Sequence, residues 1–220
     1  MKFIMILLLP NFALGFNLFL DIGHTPSAYG AISSTCKKEY SYNVDLALSL
    51  KTILTANSDI HVATRDVGES TFNERYLQSS GQDLFVSLHH DSVQQTDLSH
   101  SHGCPTAGCA SGFSIFVSKK NPYYKQSLIY AKRFANQLIK NGLKPISNHL
   151  KQTHKKDREV IDPFLGIFDM DDLKVLKHAK SPAFLFEAGV IVNPLDENRV
   201  KSEYFKKIIA KSLKKCVQEN

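Results

Sequence analysis

Four side chains suited to acid-base or metal chemistry stand where a chain commonly leaves a strand or enters a helix. They are His24 after Asp21-Ile22-Gly23, Glu39 at a helix start, His89 in Ser87-Leu88-His89-His90-Asp91, and Glu187 directly after Ala183-Phe184-Leu185-Phe186. Two imidazoles and a carboxylate are a donor set that holds a catalytic zinc ion while leaving one position for water. A further carboxylate beside such a centre can take a proton from water and deliver it to a leaving amine. Singly, each residue also has a plain structural account: a histidine closing a strand, a solvated glutamate at a helix start, a strand-end glutamate paired with a lysine. Chemistry requires that they converge. His89 and His90 are neighbours near a strand end, so their side chains point to opposite faces and at most one is a ligand; periodicity does not choose between them.

The elements that must bring these residues together are legible as an alternation. Residues 17–22 form a short apolar run that predicts a buried strand, and residues 42–56 carry apolar positions mostly at helical spacing. Residues 59–64 predict a second strand, 71–80 a second helix, and 84–88 a third strand. After a loop from 92 to 111, residues 112–117 read as strand. Residues 122–140 read as a long amphipathic helix with Pro122 at its start and Gly142 just past its end. The stretch from 142 to 164 is basic, polar and unassigned; residues 171–177 look helical, 183–186 look like a buried strand, and 196–217 predict one closing helix. Such an order predicts a single α/β domain with a mainly parallel sheet flanked by helices on both faces, its ligand site beyond the carboxyl ends of the strands.

Composition bounds the reading. The chain has 220 residues, 43% hydrophobic and 22% charged, which suits one globular domain. Lys2 ahead of an apolar run from Phe3 to Leu9, followed by Ala13-Leu14-Gly15, predicts an export signal over residues 1–15 and a mature domain over 16–220, in a periplasmic or secreted protein. A buried first strand is the competing reading, and Pro10 argues against it. The net charge of +6 suits anionic polymers. Nucleic acid is disfavoured because finger spacing and a recognition-helix pattern are both lacking. Export permits disulfides among Cys36, Cys104, Cys109 and Cys216. The turn-rich segment between Cys104 and Cys109 predicts a local bridge, with Cys36 and Cys216 as the other pair or as thiols. Arg65 and Arg75 are expected to position helices through Asp66 or Glu74, or else to face an acidic peptide.

The ordered set of motifs resembles the zinc-dependent N-acetylmuramoyl-L-alanine amidases of the type 3 catalytic domain family. The set comprises Asp21-Ile22-Gly23-His24, Glu39, Ser87-Leu88-His89-His90-Asp91 and Phe186-Glu187-Ala188-Gly189-Val190-Ile191-Val192-Asn193-Pro194, with support from Thr64-Arg65-Asp66, Arg75 and Asp83-Leu84-Phe85-Val86, and it spans about residues 18–216. The resemblance implies that His24, Glu39 and His89 bind one Zn²⁺, that Glu187 is the catalytic base, and that His90 is a supporting residue. It implies a monomeric enzyme that hydrolyses the amide between N-acetylmuramic acid and L-alanine in peptidoglycan with a zinc-activated water. The chain departs from the family pattern at Asp91, where asparagine is usual, and at Thr25-Pro26, where glycines are commoner; both departures bear on substrate fit more than on metal binding.

Overall fold

Leu18, Leu20 and Ile22 of the first strand, Phe16–Ile22 (β1), are fully buried in one apolar cluster, while Phe19 joins a second cluster with its ring stacked on Phe85. A strand covered on both faces is an interior strand of a layered α/β sheet. This is a computed structural model of the chain, and it describes residues 15–56, 59–146 and 159–218. Residues 1–14, most of the expected export signal, lie outside the described residues, as do Lys155, Lys156 and Arg158 of the basic stretch. Among the described residues, no helix is long and apolar enough to cross a membrane.

In chain order β1 is followed by Glu39–Thr55 (α1), Ile60–Thr64 (β2), Phe72–Leu77 (α2), Leu84–Asp91 (β3), the small hairpin Ser99–Ser101 (β4) and Cys104–Thr106 (β5), Ser114–Val117 (β6) and Tyr124–Lys140 (α3). Glu159–Asp162 (β7), Ile167–Asp169 (β8), Lys174–Lys177 (α4), Ala183–Val190 (β9), Pro194–Val200 (α5) and Glu203–Gln218 (α6) complete the domain. The main sheet has seven strands in the order β2-β1-β3-β9-β6-β8-β7. Pairing is parallel from β2 through β9 and between β6 and β8. It is antiparallel for β6 against β9 and β7 against β8. The predicted mainly parallel sheet is therefore present, with a mixed half.

Alternation along the strands sorts the layers. Leu84, Val86 and Leu88 of β3 and Phe184 and Phe186 of β9 pack with Leu46 and Leu50 of α1, Phe134 of α3 and Ile209 of α6. Phe85, Phe116, Phe168, Ala183 and Leu185 pack on the other face with Val175 and Leu176 of α4. Each fully buried side chain of this size contributes roughly 1.5–3 kcal/mol of transfer free energy.

Several elements differ from the expectation. β9 runs on to Val190 rather than ending at Phe186, so Glu187 lies within the strand. Gly189 suits that extension because a Cβ there would come within 2.9 Å of Val200 of α5, which packs against β9. β7 falls in the unassigned stretch from 142 to 164 and β8 between it and the helix expected from 171, being only four and three residues long. The single closing helix is two helices: the chain breaks after Val200, and Ser202 Oγ accepts a hydrogen bond from Phe205 N at 3.2 Å, starting α6 anew. The bridge expected between Cys104 and Cys109 is not formed. Cys104 is bonded to Cys36, 68 residues away, and Cys109 is an exposed thiol. Pairing of Ser101 with Cys104 in the β4-β5 hairpin carries Cys104 to the loop before α1. Cys216 is buried in the α6 core instead of meeting Cys36, its Sγ 3.3 Å from the Tyr130 carbonyl.

Candidate active site

His24 leaves the end of β1 in the left-handed region, at φ 65°, a conformation that costs a non-glycine residue about 1–3 kcal/mol. Arg65, at the loop end of β2, holds it there. Its Nε donates to the Ile22 carbonyl at 2.9 Å, its Nη2 to the His24 carbonyl, and its Nη1 to the carbonyls of Asp66 and Gly68 at 3.2 and 3.1 Å. The preceding residue has to be glycine for room: a Cβ on Gly23 would stand 2.5 Å from both His89 Nε2 and the Leu88 carbonyl oxygen.

Glu39 is the first residue of α1, where the helix dipole favours a carboxylate. Its two oxygens divide between two imidazoles. Oε2 lies 3.0 Å from His24 Nε2 and accepts from Ala31 N at 2.9 Å. Oε1 lies 3.1 Å from His89 Nδ1 and accepts from His90 N at 3.2 Å and Asn43 Nδ2 at 3.3 Å. One ligand atom from each of His24, Glu39 and His89 falls within 4.8 Å of the others. Gly30 closes over this cluster at φ 76°, where a side chain would collide with Glu39 Oε2 and the His24 ring.

Electrostatics prepares the donors. Burial opposes the Glu39 charge, but hydrogen bonds and attraction from His24 and His89 outweigh it and hold the carboxyl well below the usual range. Burial pushes His89 down, although Glu39 pulls the other way, and drives His90 down to about 4. Deprotonated carboxylate and neutral imidazole are the forms a metal requires. Two nitrogens and one oxygen brought this close are the donor set of open catalytic metal sites, so the residues fit a bound divalent ion. His90 turns to Asn43 instead, its Nδ1 2.7 Å from Asn43 Oδ1. Asn43 escaped sequence reasoning; its position one helical turn after Glu39 is the local signal that could have found it.

Glu187 stands in register with His89 across β3 and β9 and with Ser114 across β9 and β6. In-register residues of parallel neighbours project to the same face, so Glu187 shares the face of His89, Phe85 and Leu185. On that side a cavity of about 590 Å³ is lined by His24 and His89 at one part and by Thr71, Phe72, Leu173 and Lys174 elsewhere.

Beneath the site lies a buried charge cluster. Arg75 of α2 grips Asp21 with Nε and Nη2 at 3.0 and 2.6 Å, and Ser87 Oγ donates to Asp21 Oδ2 at 2.6 Å. Arg65 Nε is 3.6 Å from Asp21 Oδ1. The arginines therefore do position elements, but through Asp21 rather than Asp66 or Glu74. A second clamp holds the loop between His24 and Glu39. Buried Glu197 of α5 accepts hydrogen bonds from Ser33, Ser34, Thr35 and Tyr42, and Cys36 of that loop is bonded to Cys104. Burial and Glu197 push the Tyr42 hydroxyl up to about 12. Thr25, at the departure from the family pattern, closes a tight turn by accepting from Ala28 N at 3.1 Å.

The N-acetylmuramoyl-L-alanine amidase family matches residues 18–219, nearly all of the described chain. A probable cell wall amidase of Staphylococcus saprophyticus, LytH, is 26% identical over 199 residues, which cover 89% of this chain and 55% of that relative. The chain thus spans about half the length of that curated relative. The N-acetylmuramoyl-L-alanine amidase of Clostridium difficile 630 shares the fold with a TM-score of 0.71 at 19% identity, covering 93% of this chain and 95% of that one. The apo form of the amidase Ami1 of Mycobacterium abscessus does so at 0.69 and 18% identity, covering 92% and 97%. With a family match of that extent on this fold, the chain belongs to the N-acetylmuramoyl-L-alanine amidase family.

Proposed function

We propose that this chain is an exported, zinc-dependent N-acetylmuramoyl-L-alanine amidase that cleaves the bond between the lactyl carbonyl and the L-alanine nitrogen of peptidoglycan. The observation that carries the reading is the convergence of His24, Glu39 and His89 at the carboxyl ends of β1 and β3, beside an open cavity, with Glu187 in register with His89. His24, Glu39 and His89 would hold the zinc ion. When bound, that ion supplies Lewis acidity and brings the pKa of a water molecule near about 7.

The remaining steps belong to the chain. Glu187 accepts a proton from the attacking water at its carboxylate and returns it to the alanine nitrogen as the carbon–nitrogen bond breaks. The water oxygen stays on the lactyl carbon, so the products are a glycan carboxylate and a free stem peptide. Arg65 and the Asp21–Arg75 pair keep His24 and the floor of the cleft fixed, so little reorganisation accompanies the reaction. Phe72, Leu173, Val175 and Leu185 give the cavity apolar walls that exclude water around the scissile bond.

A wall-binding protein without catalysis is the competing reading, and the complete donor set together with Glu187 speaks against it. Digestion of purified peptidoglycan by the zinc-loaded protein, with the new ends identified by mass spectrometry, tests the proposal. Free L-alanine amino termini with intact glycan strands are expected. Wall binding with no new ends would favour the competing reading.

A further inference from the structure

The cavity beside the metal donors also carries a cation, Lys174, to which the proposed hydrolysis gives no role. Phe72, 52% exposed on the cavity wall, has two cations beside it: Arg75 Cζ is 5.9 Å from its ring centroid and Lys174 Nζ is 5.6 Å from it. Arg75 spends Nε and Nη2 on Asp21 and Ser87. Arg75 lines the cavity with a side chain 6% exposed, and its Nη1 has no hydrogen-bond acceptor among the described residues. Among the described residues, no carboxylate lies within ion-pair distance of Lys174. The one carboxylate on the cavity wall, Glu69, has both oxygens engaged by Ser27, from N at 2.8 Å and Oγ at 2.9 Å. Lys174 thus stands on the cavity wall without an ion-pair partner among the described residues.

We infer that Arg75 and Lys174, both beside Phe72 on the cavity wall, form a subsite for a carboxylate of the leaving peptide, and that it selects stem peptides whose second residue keeps a free α-carboxyl over those in which it is amidated. This rests on the amidase reading. The second residue of a peptidoglycan stem is a γ-linked D-glutamate, whose α-carboxyl is either free or amidated. An extended chain advances about 3.3–3.6 Å per residue, which puts that carboxyl roughly two residue lengths, ~7 Å, from the scissile nitrogen. A cavity of about 590 Å³ has room for both ends. Guanidinium and ammonium donors make shorter and stronger hydrogen bonds to a carboxylate than to a neutral amide, and an amide also presents donors that face them unfavourably.

Two synthetic substrates, N-acetylmuramoyl-L-alanyl-D-isoglutamate and its isoglutamine counterpart, test the subsite with the zinc-loaded protein and with Lys174→Gln and Lys174→Glu. Lys174 is exposed, so neither change touches the core. The wild-type protein should favour the acid in kcat/KM by about tenfold, the loss expected of one charge-assisted contact. Lys174→Gln should remove most of that preference by slowing the acid alone, and Lys174→Glu should reverse it. Binding of the product dipeptide L-alanyl-D-isoglutamate, measured by titration calorimetry, should weaken in both variants, while the isoglutamine dipeptide is unaffected. Equal cleavage of the two substrates by the wild-type protein, or an unchanged preference in Lys174→Gln, overturns the subsite and leaves the amidase reading standing. No cleavage of either substrate, with acid-selective dipeptide binding that depends on Lys174, overturns the amidase reading and upholds the subsite. Loss of both cleavage and selective binding overturns both.

Discussion

His89 and Glu187 sit opposite one another on neighbouring parallel strands, so the backbone register of β3 and β9 fixes a metal-ligand candidate and a carboxylate on one face of the sheet. The pair is set by ladder hydrogen bonds rather than by a flexible loop, which gives a proton-transfer group the positional precision it needs.

Glu187→Gln is accordingly expected to keep its zinc and its fold while releasing stem peptides at least about a hundredfold more slowly, the lower end of the range for general acid-base groups. Metal analysis alongside a release assay separates this role from ligation. Wild-type rates in the variant would falsify the assignment of Glu187 as the base.

Glu39 links His24 and His89 through its two oxygens, and its loss leaves a half-buried and a buried imidazole without a carboxylate between them. Glu39→Ala should therefore bind well under one zinc per chain, where the wild-type protein binds about one, as a mononuclear site implies. Chelator treatment should abolish hydrolysis and added zinc should restore it. A protein active after complete metal removal would end the metal reading.

Asp21 is fully buried between Arg65 and Arg75. Asp21→Ala strands two guanidinium groups in the interior, and breaking a buried ion pair in this one-sided way costs about 3–5 kcal/mol. Denaturant unfolding would measure it. A loss below about 1 kcal/mol, the scale of a surface pair, would show that the cluster is solvated in solution.

The Cys36–Cys104 bond closes 68 residues of chain and ties the hairpin to the loop that precedes Glu39. Replacing both cysteines by serine should lower stability by about 2–4 kcal/mol, following the entropy of a cross-linked unfolded chain. Cys109→Ser should change nothing. Non-reducing peptide mapping that finds Cys104 joined to Cys109 would contradict this pairing.

Glu197 gives a pH signature. Burial opposes its charge, but hydrogen bonds from Ser34, Thr35 and Tyr42 and attraction from Lys201 pull it down to about 2. An unfolded glutamate titrates near about 4.3, so the ionised group stabilises the fold fully above that value, and this contribution disappears as pH falls toward about 2. The stability gap between wild type and Glu197→Gln should consequently narrow on acidification from about pH 6 to about pH 3. A gap that stays constant across that window would show that the carboxylate gains nothing from its four hydroxyl neighbours.

What the sequence determined by itself is what local pattern encodes. The short apolar run in residues 17–22, the helical spacing after residue 42, and the histidines that follow short apolar runs are local patterns, which the chain carries without knowledge of its partners. They sufficed for a layered α/β domain and for one set of candidate residues at strand ends. Only the tertiary structure decided the antiparallel placing of β6 against β9, the reach of β9 past Glu187, the joining of Cys36 to Cys104, and the choice of Asp21 as the partner of Arg75, 54 residues away. Each of these is a pairing between distant segments. Its geometry follows from how two elements pack once the core has closed, and a short window of sequence holds no record of that.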